Sequence, residues 1–167
     1  LKTRLEPRTA GPGARLRVIK ELRRAGVPVG AMVAPVIPFL NDHELENIVA
    51  VCAAAGANDA SYILLRLPLE VRPLFEEWLG VHYPLKAGRV MAAVKETRGG
   101  RAYDAEWHKR MVGEGEIAQL IQARFKLALK KAGLSSDNVS RGERMPVLRT
   151  DLFLPPSGSN NNQLSLF

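Results

Sequence analysis

Apolar positions along the chain change period several times, and each change marks an element. Over residues 12–25 the residues Ala14, Val18, Ile19 and Leu22 recur at helical spacing, and Gly26 stops the helix they predict. Val27 to Ile37 is a nearly continuous apolar run, too short for a second long helix. It reads as a strand buried on both faces, as in a parallel sheet, ended by Pro35 and Pro38. Asn41 with Glu44 three residues on is a capping-box pattern, and Leu45, Ile48, Val49 and Cys52 then repeat at i, i+3, i+4 and i+7. Ala60 to Leu67 reads as a second buried strand, closed by Pro68.

Three further helices are predicted. One starts at Pro73, with Leu74, Phe75, Trp78 and Leu79 inward. One starts at Pro84, with Ala87, Val90, Met91 and Val94. One runs from about Glu116 to Ala132, with Ile117, Leu120, Ile121, Phe125, Ala128 and Leu129 inward and Gly133 as its cap. Beyond Leu134 periodicity ends in Ser, Asn, Gly and Pro, which predicts a disordered tail. The alternation of strand and helix gives an α/β class with a parallel sheet. Two strands do not make a stable sheet alone, so neighbouring strands are expected beside them.

Composition narrows the function classes. With 46% hydrophobic and 25% charged residues the 167-residue chain is of ordinary globular type. The net charge of +7 and a pI near 9.9 suit a polyanionic partner such as nucleic acid, or simply a solvated basic surface. The one cysteine, Cys52, excludes an intrachain disulfide and a cysteine-rich metal site, and fits a cytoplasmic location. No apolar run is long enough to span a bilayer, so no membrane partner is expected. The first residue is Leu1 rather than Met, as expected of a processed chain or of a sequence that begins inside a longer gene product.

In parallel α/β folds chemistry gathers where strands end at their carboxyl side. Here those ends are Pro35–Asp42 and Leu65–Glu70. Arg66 is either a fork for a carboxylate or phosphate, or half of a structural pair with Glu70 or another acid. Asn41 is either a ligand-orienting amide or a helix N-cap. The segment with Arg98, Gly99, Gly100, Arg101, Tyr103, Trp107, Lys109 and Arg110 interleaves basic and aromatic residues. It suits single-stranded nucleic acid, or packs its aromatics and leaves its charges wet.

Several segments in order carry a family resemblance. Glu6-Pro7-Arg8-Thr9 precedes a helix ending in Ala25-Gly26. Ala34-Pro35-Val36-Ile37-Pro38 is followed by Asn41-Asp42-His43-Glu44. Tyr62 to Pro68 is followed by Leu74 to Leu79. Arg98-Gly99-Gly100 comes with Tyr103-Asp104 and Arg110-Met111, and Asp151-Leu152-Phe153 with Pro155-Pro156. Together these resemble the C-terminal half of radical S-adenosylmethionine (radical SAM) proteins of the spore photoproduct lyase-like, DNA repair photolyase-like group.

The resemblance implies the C-terminal half of a partial (β/α)6 TIM-like barrel over residues 1–82, a helical C-terminal extension over 83–133 and a flexible tail over 134–167. For the full-length parent it implies a 4Fe–4S cluster, S-adenosylmethionine and 5′-deoxyadenosyl radical chemistry in DNA repair. The cluster ligands of that family are a Cys-x3-Cys-x2-Cys loop, which this chain lacks, so no cofactor is expected to bind this chain alone. Cofactor-binding positions carried over are Val36, Ile37, Pro38, Asn41 and Arg66. Where Phe39 stands the family usually has a small residue, often glycine. The alternatives are a non-catalytic basic binding module and an RNA-modifying radical SAM protein. The terminal Gln163-Leu164-Ser165-Leu166-Phe167 looks like the pentapeptide that docks on the bacterial sliding clamp, with Gln163, Leu164, Leu166 and Phe167 as its contacts.

Overall fold

A computed structural model of the chain describes residues 1–101, 109–134 and Asp151. The elements are α1 (Lys2–Leu5), α2 (Pro12–Arg24), β1 (Gly30–Val36), α3 (Leu45–Ala54), β2 (Asp59–Leu64), α4 (Val71–His82), α5 (Pro84–Glu96), α6 (Lys109–Val112) and α7 (Gly115–Lys131). The fold is mixed α/β. Among the described residues β1 and β2 form the sheet, paired in parallel with Gly30 opposite Asp59 and Val33 opposite Tyr62. The ladder is irregular between Val33 and Val36, where Pro35 has no N–H to donate.

The sheet is covered on one face. Ala31 and Val33 of β1 and Ala60, Tyr62 and Leu64 of β2 pack against Leu45 and Val49 of α3 and Ala118, Ile121 and Phe125 of α7. Ile19 of α2 meets Cys52 of α3 in a smaller cluster that also takes in Ala31. On the opposite face Gly30, Met32 and Ala34 are exposed, Met32 at 62%, and Ser61 and Ile63 are half-buried. The first strand is therefore buried on one face rather than on both. The alternation along β1 is that of a one-sided strand, although its residues are apolar throughout.

Past the strand ends a separate core forms. Ile37, Leu40, Leu65 and Leu67 leave the sheet and pack with Phe75 and Leu79 of α4 and Val90 and Val94 of α5. Leu74, expected inward, is 65% exposed, because α4 meets this core along Phe75 and Leu79. Leu120 of α7 is likewise 59% exposed, as are Val18 and Leu22 on α2 in lesser part. In each case the apolar stripe read from spacing is wider than the stripe that neighbours cover. Gly133 caps α7 as expected. At φ 70° it lets Leu134 N–H donate back to Leu129 O (2.9 Å), and Leu134 folds into the sheet core.

The capping box at Asn41 and Glu44 does not form. Asp42–Glu44 is a short 3-10 turn before α3, and no side chain caps it. Charge ties this corner to α7 instead. Arg124 Nε and Nη2 donate to the two carboxylate oxygens of Glu46 (2.7 and 2.9 Å), Nη1 to Asp42 Oδ2 (2.9 Å) and Nη2 to Asp42 O (2.7 Å). Such a fork matches the carboxylate in geometry as well as charge.

The Arg124 guanidinium, first by its hydrogen bonds and then by its charge, holds the Glu46 carboxyl below the usual carboxylate range. A lowered folded-state pKa adds stability above the unfolded value and loses it as pH falls through the folded one. Denaturant unfolding of the chain should therefore weaken on acidification through that window, and Arg124→Met should remove the part due to this pair. Because Glu46 is 45% exposed, solvent screening keeps the contribution small. An Arg124→Met variant with unchanged stability at neutral pH and an unchanged acid slope would contradict the assignment.

Candidate functional site: the rim beyond the two strands

The two loops at the carboxyl ends of the strands lie side by side, joined by the Leu65 N–H bond to Val36 O (2.9 Å). In the first loop the Asn41 amide is the organising group. Its Oδ1 accepts from Ile37 N–H (2.7 Å) and its Nδ2 donates to Pro35 O (3.0 Å). Leu40 and Asn41 N–H both return to Ile37 O (3.1 Å each). Asn41 stands at the helix entry, but its side chain turns back to brace the loop rather than forward to cap the helix.

That brace fixes what the loop presents. Val36, Ile37 and Pro38 are buried, Val36 in the sheet core and Ile37 in the second core. Phe39 takes φ 61°, the left-handed region that costs any residue with a Cβ. A glycine would sit there without strain. Phe39 instead packs part of its ring on the second core and receives the Arg89 guanidinium of α5 at 3.9 Å from its centroid. In the second loop Leu69 also has positive φ, 29°, and its side chain is 82% exposed. Arg66 is half-buried two residues past the end of β2.

The second strand is held at its end by a residue that the sequence places elsewhere. Arg98 is 3% exposed and donates through Nη2 to Leu64 O (3.2 Å) and Leu65 O (3.0 Å). The reading of Arg98 as a wet or nucleic-acid-facing cation of a surface loop is thus corrected. The signal for it was present: Val90, Val94, Thr97 and Arg98 fall on one helical face, and the first three are also buried. Nearby, Glu96 Oε1 accepts from the N–H groups of Glu116 (2.7 Å) and Ile117 (3.4 Å) at the start of α7, and Glu114 N–H donates to Thr97 O (3.1 Å). A Cβ at Gly115 would overlap the Glu96 carboxylate. These contacts clamp the neck of the basic, aromatic segment. Arg101 is exposed beside that neck. Tyr103 and Trp107 lie outside the described residues, as do Gln163, Leu164, Leu166 and Phe167.

Other groups hold less chemistry. Cys52 is buried between α2 and α3, and burial raises its thiol pKa. Among the described residues no three His, Cys, Asp or Glu side chains come together as a metal site. Tyr62 faces Phe125 at 4.7 Å, and its buried hydroxyl has no hydrogen-bond partner among the described residues. A cleft of about 450 Å³ runs along β2 between the sheet, Met111 and Phe125. Its lining is mainly apolar and it lies away from the rim. No described helix is long and apolar enough to cross a membrane.

Comparison with known proteins gives relatives but no activity. No family model matches the chain. It is similar to uncharacterized proteins of Mycobacterium tuberculosis and Mycobacterium bovis, 32% identical over 126 residues in each case, which is 74% of this chain and 35% of theirs. The chain thus spans about a third of the length of these curated relatives. No solved structure matches it.

The brace at Asn41 yields a direct test. Asn41→Ala leaves Ile37 N–H and Pro35 C=O without their partner and should cost about 1–3 kcal/mol in urea unfolding. Asn41→Asp keeps the acceptor for Ile37 and should cost less. A neutral Asn41→Ala would mean that water replaces the amide and that the loop is not held by it.

Proposed function

We propose that this chain is the C-terminal part of a radical SAM enzyme of the spore photoproduct lyase-like group, acting on nucleic acid from the cytoplasm. One observation carries the reading beyond the sequence motifs. Helices α2, α3 and α7 all cover one face of the parallel pair, and Gly30, Met32 and Ala34 stand exposed on the other. A doubly wound sheet has helices on both faces, whereas an arc of a (β/α) barrel has them on the outer face only. The uncovered face is the interior of a partial (β/α)6 barrel that strands outside this chain would close.

The residues present do not fit an iron–sulfur cluster. Cys52 is the one thiol, and it is buried in a helix–helix core away from the rim. The three thiolates must come from outside this chain, and no chemical step is assigned to its own residues. For S-adenosylmethionine the rim offers position rather than side chains. Asn41 sets the loop at Val36, Ile37 and Pro38, and Arg66 stands at the neighbouring strand end as a cation for a carboxylate or phosphate. The RNA-modifying variant of the reading shares these residues.

The tail supplies a second partner. Gln163, Leu164, Leu166 and Phe167 follow a Gly/Ser/Asn-rich stretch, a composition that suits a tether, and they offer apolar anchors to a pocket on the bacterial sliding clamp. A tail peptide that binds purified clamp, and loses binding when Leu166 and Phe167 are both changed to Ala, supports this docking. A peptide that does not bind removes it.

The enzyme reading is tested on the gene product from which the chain derives, expressed without oxygen. Bound iron and sulfide, and release of 5′-deoxyadenosine from S-adenosylmethionine under reduction, are expected. Arg66→Ala should lower that release more than it lowers stability. A gene product that lacks a cysteine triad and binds no iron would leave the basic binding module as the correct reading.

A further inference from the structure

The positive charge of the chain is not spread evenly. Residues 1–24 hold eight Lys and Arg against two Glu, a net of +6 out of the +7 of the whole chain. Much of this sits on α2, which buries Ile19 and turns Leu16 and Arg23 toward α3. At about 100° per residue, Arg17, Lys20 and Arg24 fall together on the flank away from that contact. All three are exposed. Among the described residues the side chains of Arg17 and Lys20 make no hydrogen bond or ion pair, and that of Arg24 meets only Glu21 (2.7 Å), an exposed i, i+3 pair of little strength. Along the axis the three cations are spaced over about 10 Å on a rigid helix.

We propose that this row, Arg17–Lys20–Arg24, binds the phosphate backbone of a nucleic acid. The inference rests on the nucleic-acid part of the function above and names the surface that serves it. It also moves that surface away from Arg98, which is committed to the end of β2. A phosphate backbone fits better than an anionic lipid surface. The exposed apolar residues of α2, Val18 and Leu22, lie on the other flank, so a membrane meeting the basic row would gain charge pairing without any insertion. A row of cations without apolar or hydrogen-bonding readers at its centre positions a strand and does not read its sequence.

The test is fluorescence anisotropy of the full chain with a labelled duplex and a labelled single strand, over a salt series. The variant R17Q/K20Q/R24Q is compared with K86Q/K126Q/K131Q, which removes equal charge from other exposed positions. Circular dichroism checks that α2 remains helical. The row variant should lose at least about tenfold in affinity near 0.1 M salt, and its log–log salt slope on duplex should fall by about 2.7, three phosphates at roughly 0.9 each. The control should keep most of both. Equal losses in the two variants would reduce the effect to net charge and overturn the proposal. So would wild-type binding by the row variant. Row-dependent binding to phosphatidylserine vesicles, with none to either nucleic acid, would replace it by a membrane surface and take the nucleic-acid reading with it. Iron binding and cofactor cleavage would be untouched by that result, so the two failures separate.

Discussion

Among the described residues the parallel strand pair carries its helices on one face and leaves Gly30, Met32 and Ala34 of the first strand exposed on the other, and this constraint governs the rest of the molecule. Burial of Ala31, Val33, Ala60, Tyr62 and Leu64 against α3 and α7 supplies the driving force for the sheet. Nothing among the described residues does the same for Met32 or Ala34. The polar contacts compensate locally. Arg124 locks α7 to the entry of α3, Arg98 takes the carbonyls at the end of β2, and Asn41 closes the loop beyond β1. Each sits where a strand or helix ends and backbone groups need partners.

That arrangement explains the division of labour around the rim. The second core, from Ile37 and Leu67 to Val90 and Val94, seats α4 and α5 against the two post-strand loops. The loops are therefore positioned by apolar packing from one side and by the Asn41 amide from within. Strain is kept at Phe39, where the left-handed backbone is held by ring packing and by the Arg89 cation rather than relieved by glycine. Catalytic and cofactor groups in such folds depend on loops held this firmly.

Much of the fold was legible because periodicity reports burial. The two strands, the α3 face at Leu45, Val49 and Cys52, and the cap at Gly133 follow from spacing alone. What spacing missed has a common cause. An apolar residue such as Met32, Leu74 or Leu120 satisfies the pattern whether or not a neighbour covers it. A polar residue at an element's end, such as Asn41, Glu96 or Arg98, has several possible partners. Only the tertiary structure selects Ile37, the start of α7 and the end of β2. The site was legible as a location, the strand ends, and not as a set of contacts. The basic row on α2 was hidden inside a net charge quoted for the whole chain.

The central proposal is that the open face of β1, with the edge that has no strand partner among the described residues, is an interface that further strands would complete. Amide hydrogen exchange tests it most directly, comparing residues 29–36 in this chain alone and in the gene product from which it derives. The account predicts that the amides of β1 that do not face β2 exchange quickly in the chain alone and are protected in the longer protein, while α7 is protected in both. Equal exchange of β1 in the two, at either rate, would contradict it.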